Sequence, residues 1–264
     1  MIGLFSLLLV LGCKKDDTPD PETQIADYIA AEGLNVTTSS SGLRYEFQTE
    51  GSGDLPISNS IMEVSFTGKL VDGTIFSQSN TPIEVYITTQ IAGLEEGFRL
   101  MKPGSKATFI IPPDLGFGNA AVGDIPANSV IIYEIEAHEV DNRIQDVMDQ
   151  FISVNNLAAS ETREGLFYVL NEPGGTEKPN IQSSIEINYV GKFINGDIFD
   201  QNGDNPASFP LSNLIRGWQI GIPLMGREGD GVFIIPPQLA YGQDGRTGIP
   251  GNSVLIFDIE LLDF

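Results

Sequence analysis

Leu214-Ile215-Arg216-Gly217-Trp218, followed by Leu239-Ala240-Tyr241-Gly242, is the stretch around which the rest of the chain is read. The chain's single Trp sits here, after two branched apolar residues and a Gly. Taken alone, an isolated Trp is an ordinary core residue. Its surroundings point elsewhere. Upstream stand Ile187-Asn188-Tyr189-Val190-Gly191 and Asp197-Ile198-Phe199-Asp200; downstream come Ile235-Pro236-Pro237, Ile249-Pro250-Gly251 and the apolar run from Val254 to Leu261.

The same pattern stands earlier in the chain. Val64-Ser65-Phe66-Thr67-Gly68 matches Ile187 to Gly191, and Asp72-Gly73-Thr74-Ile75-Phe76 matches Asn195 to Phe199. Ile110-Ile111-Pro112-Pro113 matches Ile234 to Pro237, and Asp124 to Ser129 matches Gly248 to Ser253. The period, roughly 120 residues, is far longer than a solenoid unit, so the chain reads as two tandem domains. Each copy opens with an amphipathic helix. Ile25, Tyr28 and Ile29 mark the first, over Glu22 to Leu34 with Gly33 to stop it; Ile144, Val147, Met148, Phe151 and Ile152 mark the second. Alternating runs such as Leu43–Phe47, Ile61–Val71 and Lys106–Ile111 read as strands, and Ile91–Met101 as a short helix. Strand-rich copies with one short inner helix predict an α+β fold, an antiparallel sheet folded over that helix. The boundary falls near Asp141, giving domains over 22–140 and 141–264.

In that order and at those spacings, residues 165 to 264 resemble the FKBP-type peptidyl-prolyl isomerases. The resemblance implies two curved, mostly antiparallel sheets, each wrapped around a short helix, which in the second domain would begin near Trp218 and end by Pro223. It also implies a proline pocket walled by Tyr189, Phe199, Leu214, Ile215, Trp218 and Phe257, with Trp218 beneath the prolyl ring. Asp200 would accept a hydrogen bond from Tyr189 and face the reacting carbonyl. Tyr241 and the Ile215 backbone N–H would bond the bound chain, and Ile249 would overhang the cleft. Tyr189, Asp200, Trp218 and Tyr241 are thus the expected catalytic set. One departure is Ala207, where the resemblance leads one to expect an aromatic; it would widen the cleft. The first domain departs further: Phe66 stands for Tyr189, Ser77 for Asp200, Leu94 for Trp218 and Phe117 for Tyr241. Weak or absent isomerase activity is expected there.

Such a reaction asks little of side-chain reactivity. Rotation about a peptide bond meets a barrier of about 18–20 kcal/mol, set by its partial double-bond character. X-Pro bonds have nearly balanced cis and trans forms, so catalysis needs no energy source. A dry apolar pocket favours the twisted, less polar amide over the planar one. No nucleophile, metal, cofactor or acid–base pair is required, and none is expected. The single His, His138, falls at the end of an apparent strand, and a single Cys forms neither an intrachain disulfide nor a thiolate metal site. Asp200-Gln201-Asn202-Gly203-Asp204 begins like a calcium loop, but Asn205 and Leu211 replace the required Gly and Glu, so it reads as a turn.

Composition and the N-terminus bound the setting. Lys and Arg total 14 against 36 Asp and Glu, a formal charge of −22 that repels nucleic acid. Residues 1–12 read as a lipoprotein signal peptide: Phe5 to Gly12 is apolar, too short to span a bilayer, and Val10-Leu11-Gly12-Cys13 resembles a lipobox, although Met1-Ile2-Gly3 lacks the usual Lys or Arg. The implied lipid would sit on Cys13, with acidic, Pro-rich residues 13–21 as a tether. The expectation is a monomeric, lipid-anchored protein of the bacterial cell envelope, at the outer membrane, acting on proline-containing polypeptides during export. The competing expectation is a non-catalytic anchored chaperone whose clefts grip prolyl or hydrophobic segments.

Overall fold

The computed structural model describes residues 19–203 and 205–264. The expected signal peptide, Cys13 and most of the expected tether lie outside the described residues. The first described helix is α1 (Pro21–Glu32). Asp20 caps it by accepting from the Glu22 and Thr23 N–H groups, and Gly33, at φ 66°, ends it in the left-handed region a Gly enters freely.

The first sheet contains β1 (Thr37–Thr38), β2 (Arg44–Thr49), β3 (Ile61–Leu70), β4 (Ile75–Tyr86), β5 (Lys106–Ile111) and β6 (Ile131–Asp141), with α2 (Ala92–Phe98) between β4 and β5. Its order is β1-β2-β5-β6-β3-β4, every pair antiparallel. After α3 (Arg143–Val154) the second sheet follows: β7 (Ser160–Glu161), β8 (Phe167–Glu172), β9 (Ser184–Phe193), β10 (Ile198–Gln201), β11 (Ala207–Pro210), β12 (Gly229–Ile235) and β13 (Leu255–Asp263). The short helix α4 (Arg216–Gly221) lies between β11 and β12. The order is β10-β9-β13-β12-β8-β7, with β11 also on β9, again antiparallel throughout.

Strand alternation explains why the central strands are apolar without a break. In β12, Phe233 and Ile235 face the core that holds α4, while Ile234 faces the opposite side beneath α3, against Met148. The first sheet repeats the division: Phe109 and Ile111 pack with α2, and Ile110 with Ile25 and Tyr28 of α1. Each leading helix thus covers the outer face of its own sheet. Of the expected α3 stripe, Met148 is fully buried, but Val147 is 41% exposed because it sits at the margin of that contact.

Two glycines set the inner helix. A Cβ at Gly217 would come within 2.6 Å of Ile235 Cγ2, and one at Gly221 within 2.6 Å of Phe233 Cε2. These positions are four apart on α4, and their targets two apart on β12, so the bare helix face rests directly on the strand. Gly93 and Gly97 do the same against Ile111 and Phe109. The helix starts at Arg216, two residues before Trp218, with Trp218 N–H bonded back to Ile215 C=O at 3.0 Å.

The two sheets differ at one edge. β4 runs unbroken through Tyr86, whereas the matching stretch splits into β10 and β11. Between them the Asn202 side chain takes over the backbone's role: it accepts from Tyr189 N–H at 2.8 Å and donates to Ile187 C=O at 3.0 Å and Asn205 C=O at 2.7 Å. Asp204 lies outside the described residues.

Candidate active site

Gly191 on β9 makes the site possible. A Cβ there would lie 2.8 Å from both Phe199 Cζ and Phe257 Cε1, so only Gly lets these rings cross β9 and meet. Phe199 and Phe257 then pack edge to face, centroids 5.5 Å apart at 89°. Trp218, brought in by α4, stands edge-on to Phe257 at 5.0 Å and to Tyr189 at 5.2 Å. Such edge-to-face pairs contribute about 0.5–1.5 kcal/mol each beyond their buried area. Trp218 and Phe257 are each only 4% exposed and Ile249 is 5% exposed. The floor of the cleft is therefore dry and rigid.

The nine residues singled out from the sequence in this domain, Tyr189, Phe199, Asp200, Leu214, Ile215, Trp218, Tyr241, Ile249 and Phe257, all border one concave cavity of about 430 Å³. That volume lies within the range of ordinary ligand pockets. At the rim, Tyr189 Oη donates to Asp200 Oδ2 at 3.1 Å. Burial first, then the Asp200 charge and hydrogen bond, push the Tyr189 phenol up to about 12, so it remains a neutral donor.

Sequence reasoning missed two residues here. Phe209 also borders the cavity and packs with Tyr189 at a centroid distance of 6.5 Å. It lies two residues beyond Ala207 on β11, on the same face, so an aromatic wall stands in spite of Ala207. The strand period was the available signal. Arg246 is the other: its Nη1 donates to Tyr241 Oη at 3.0 Å and its guanidinium lies 4.9 Å from that ring's centroid. Tyr241 Oη accepts in this bond, which leaves its own O–H free to donate to a bound chain.

In the first domain, Gly68 lets Phe76 approach Tyr133 in the same way, at 5.7 Å and 79°. Tyr133 pairs with Gly68 as Phe257 pairs with Gly191. A hydroxyl therefore appears at the position of Phe257, while those of Tyr189 and Tyr241 remain replaced by Phe66 and Phe117; burial pushes the Tyr133 phenol up. Phe66 and Leu94 keep the apolar wall and Ser77 is exposed. His138 is exposed and shares a 2.9 Å hydrogen bond with Ser65 Oγ, away from either cleft.

Comparison with known proteins agrees in family. The profile described as FKBP-type peptidyl-prolyl cis-trans isomerase matches twice, at residues 53–138 and 175–262. FkpA of Escherichia coli K12, named as an FKBP-type peptidyl-prolyl cis-trans isomerase, is 36% identical over 132 residues, 49% of this chain and 48% of that protein. A probable FKBP-type isomerase of Haemophilus influenzae is 39% identical over 114 residues, covering 42% and 47% of the two chains. The chain thus spans about half the length of the curated relatives it matches. The crystal structure of FkpA from Escherichia coli matches 46% of this chain and 59% of its own, at 32% identity and a TM-score of 0.43. With the two profile matches covering most of the chain, the protein belongs to the FKBP-type peptidyl-prolyl cis-trans isomerase family.

Proposed function

We propose that this chain is a peptidyl-prolyl cis-trans isomerase whose second domain does the catalysis. The observation that carries the reading is the cage of Tyr189, Phe199, Trp218 and Phe257, closed at its rim by the Tyr189–Asp200 hydrogen bond. A prolyl ring seated on Trp218 would leave water, and the planar amide's charge separation would lose solvation that the twisted amide needs less. Tyr241 Oη and the Ile215 N–H would hold the chain on either side of the proline, and Asp200 would face the reacting carbonyl. Nothing in this scheme titrates or forms a covalent bond.

The first domain keeps apolar bulk but has Ser77 and Leu94 where the second has Asp200 and Trp218, so weak or absent catalysis is proposed for it. Its surviving wall favours a role in holding client segments. The test is exchange at the prolyl bond of an Ala-Leu-Pro-Phe tetrapeptide, with the whole chain and its Trp218→Leu variant. Loss of acceleration in the variant supports the assignment. Unchanged acceleration removes it, and a wild type without activity that still suppresses aggregation favours the chaperone reading.

We further propose, from the Val10–Cys13 motif, lipidation of Cys13 and residence at the bacterial outer membrane, with exported proline-containing polypeptides as clients; the shortness of the leading helix favours a monomer. Incorporation of labelled palmitate that persists in Cys13→Ser would refute the anchor.

A further inference from the structure

The first domain touches the second at several points, and one group of them borders the cleft. Asn59, fully buried, uses its whole amide on the second domain. Its Nδ2 donates to Gln145 Oε1 at 2.7 Å and Gly165 C=O at 3.2 Å, and its Oδ1 accepts from Gln238 Nε2 at 2.6 Å. Gln238 stands three residues before Tyr241. From the end of β4, Glu84 Oε2 accepts from Gln243 Nε2 at 2.6 Å, and Tyr86 Oη donates to Asn252 Oδ1 at 2.6 Å.

Gln243 and Asn252 flank the neck of one loop. Asn252 N–H bonds Gly242 C=O at 2.9 Å, and Arg246 and Ile249 exchange N–H to C=O bonds of 2.8 Å nearer the tip. Asn252 takes φ 58°, a left-handed conformation tolerated by Asn, which turns its side chain to its partner. The tip carries Arg246, Thr247, Gly248 and Ile249 into the cavity wall, and Tyr241 stands at the loop's root. A loop stitched this way moves as a body, so a grip at its neck fixes its tip.

We infer that the first domain positions the cleft loop of the second, with Glu84, Tyr86 and Asn59 as positioning residues. The inference rests on the second cleft being the isomerase site and gives the first domain a task that needs no cleft of its own. β4 can serve because it continues unbroken to Tyr86, where the second domain's edge is interrupted by the Asn202 turn.

The experiment uses the full chain, as Glu84→Ala/Tyr86→Phe. Other contacts between the domains remain in this variant: Asn59 with Gln145, Ser60 with Asn142, and Arg163 with Glu95 at 3.6 Å. Losing two interdomain hydrogen bonds should cost about three- to tenfold in kcat/KM on the Ala-Leu-Pro-Phe peptide, mostly through KM. Glu84→Gln alone, which still presents an oxygen to Gln243, should restore near wild-type KM. Hydrogen exchange at the Arg246 and Ile249 amides should quicken in the double variant, while that of the β12 and β13 amides stays unchanged. Unchanged loop exchange, or faster loop exchange with an unaltered KM, overturns the inference. A wild type without activity sinks the isomerase reading separately, and the exchange result then decides whether the first domain holds the loop.

Discussion

Tyr189 and Asp200 stand on the adjacent strands β9 and β10, and the phenol donates to the carboxylate at 3.1 Å across the rim of the cleft. Asp200 is exposed, whereas the Tyr189 ring packs into the cage, so the pair joins a solvated charge to a buried wall. Asp200→Ser, which installs the first domain's residue, should lower kcat/KM by about tenfold or more, the scale of a hydrogen bond to a charged group. Stability should change by no more than about 0.5 kcal/mol, as for exposed sites. Absorbance titration should show the Tyr189 phenol ionising at lower pH, because two causes of its upward shift are gone. An unmoved titration would mean that burial alone sets it.

Trp218 calls for a subtler change than truncation to Ala, which in a packed core costs about 3–5 kcal/mol. Trp218→Leu copies Leu94 of the first domain, a residue its own core accommodates at 6% exposure. We expect a folded chain by circular dichroism and a loss of peptide isomerisation of more than about tenfold, from a shallower floor that excludes less water. Because Trp218 is the chain's only Trp, the variant also loses its indole fluorescence, which confirms identity.

Gly191→Ala tests the cage without touching a polar group. The added methyl would stand 2.8 Å from two aromatic rings. Overpacking of this kind typically costs about 1–3 kcal/mol. Thermal unfolding should show that loss, together with reduced activity as Phe199 and Phe257 are pushed apart. Gly196→Ala is the control: its Cβ meets nothing within 4 Å, and its penalty comes only from φ 94°.

Two of the raised phenols, those pushed up to about 12, bear on stability at high pH. Tyr189 and Tyr86 each sit near 12 in the folded chain against an ordinary value of 10.0, burial being the largest cause for both. A raised folded value means the native state holds its proton more tightly. The stabilisation is complete below about 10 and is lost as pH rises through about 12. Chemical denaturation should show falling stability over that window, less steep in Tyr189→Phe. Activity should be flat between about pH 6 and 9, because the proposed scheme transfers no proton; a bell-shaped profile there would contradict it.

Much of the fold was legible because its determinants are local or periodic. Alternation in Lys106–Ile111 predicts the strand the structure shows, and the Asp72-Gly73 pair turns β3 into β4. The aromatic wall was legible only through the resemblance that the order and spacing of Tyr189, Phe199, Trp218 and Phe257 carry; singly, each reads as core. Phe209 carries no motif of its own; only the strand period, which puts it on the face of Ala207, points to it. Arg246 was missed because a cation in a Gly-rich loop has no pattern that says which ring it will cover. The interdomain contacts were beyond reach: Asn59 is a polar residue in a loop, and nothing near it in sequence announces that it becomes fully buried against Gln145, Gly165 and Gln238. Burial of that kind is decided by long-range docking.

The most direct measurement is prolyl exchange catalysed by the full chain carrying Asp200→Ser and Trp218→Leu together, beside the full chain carrying Phe66→Ala and Leu94→Ala. The first variant gives the second cleft the polar and apolar residues of the first; the other removes apolar side chains from the first domain, substitutes no residue of the second, and is read on chain shown folded by circular dichroism. Catalysis lost in the first variant and largely kept in the second is the predicted result. Catalysis surviving the Asp200→Ser/Trp218→Leu change would contradict the placement of the active site in the second domain.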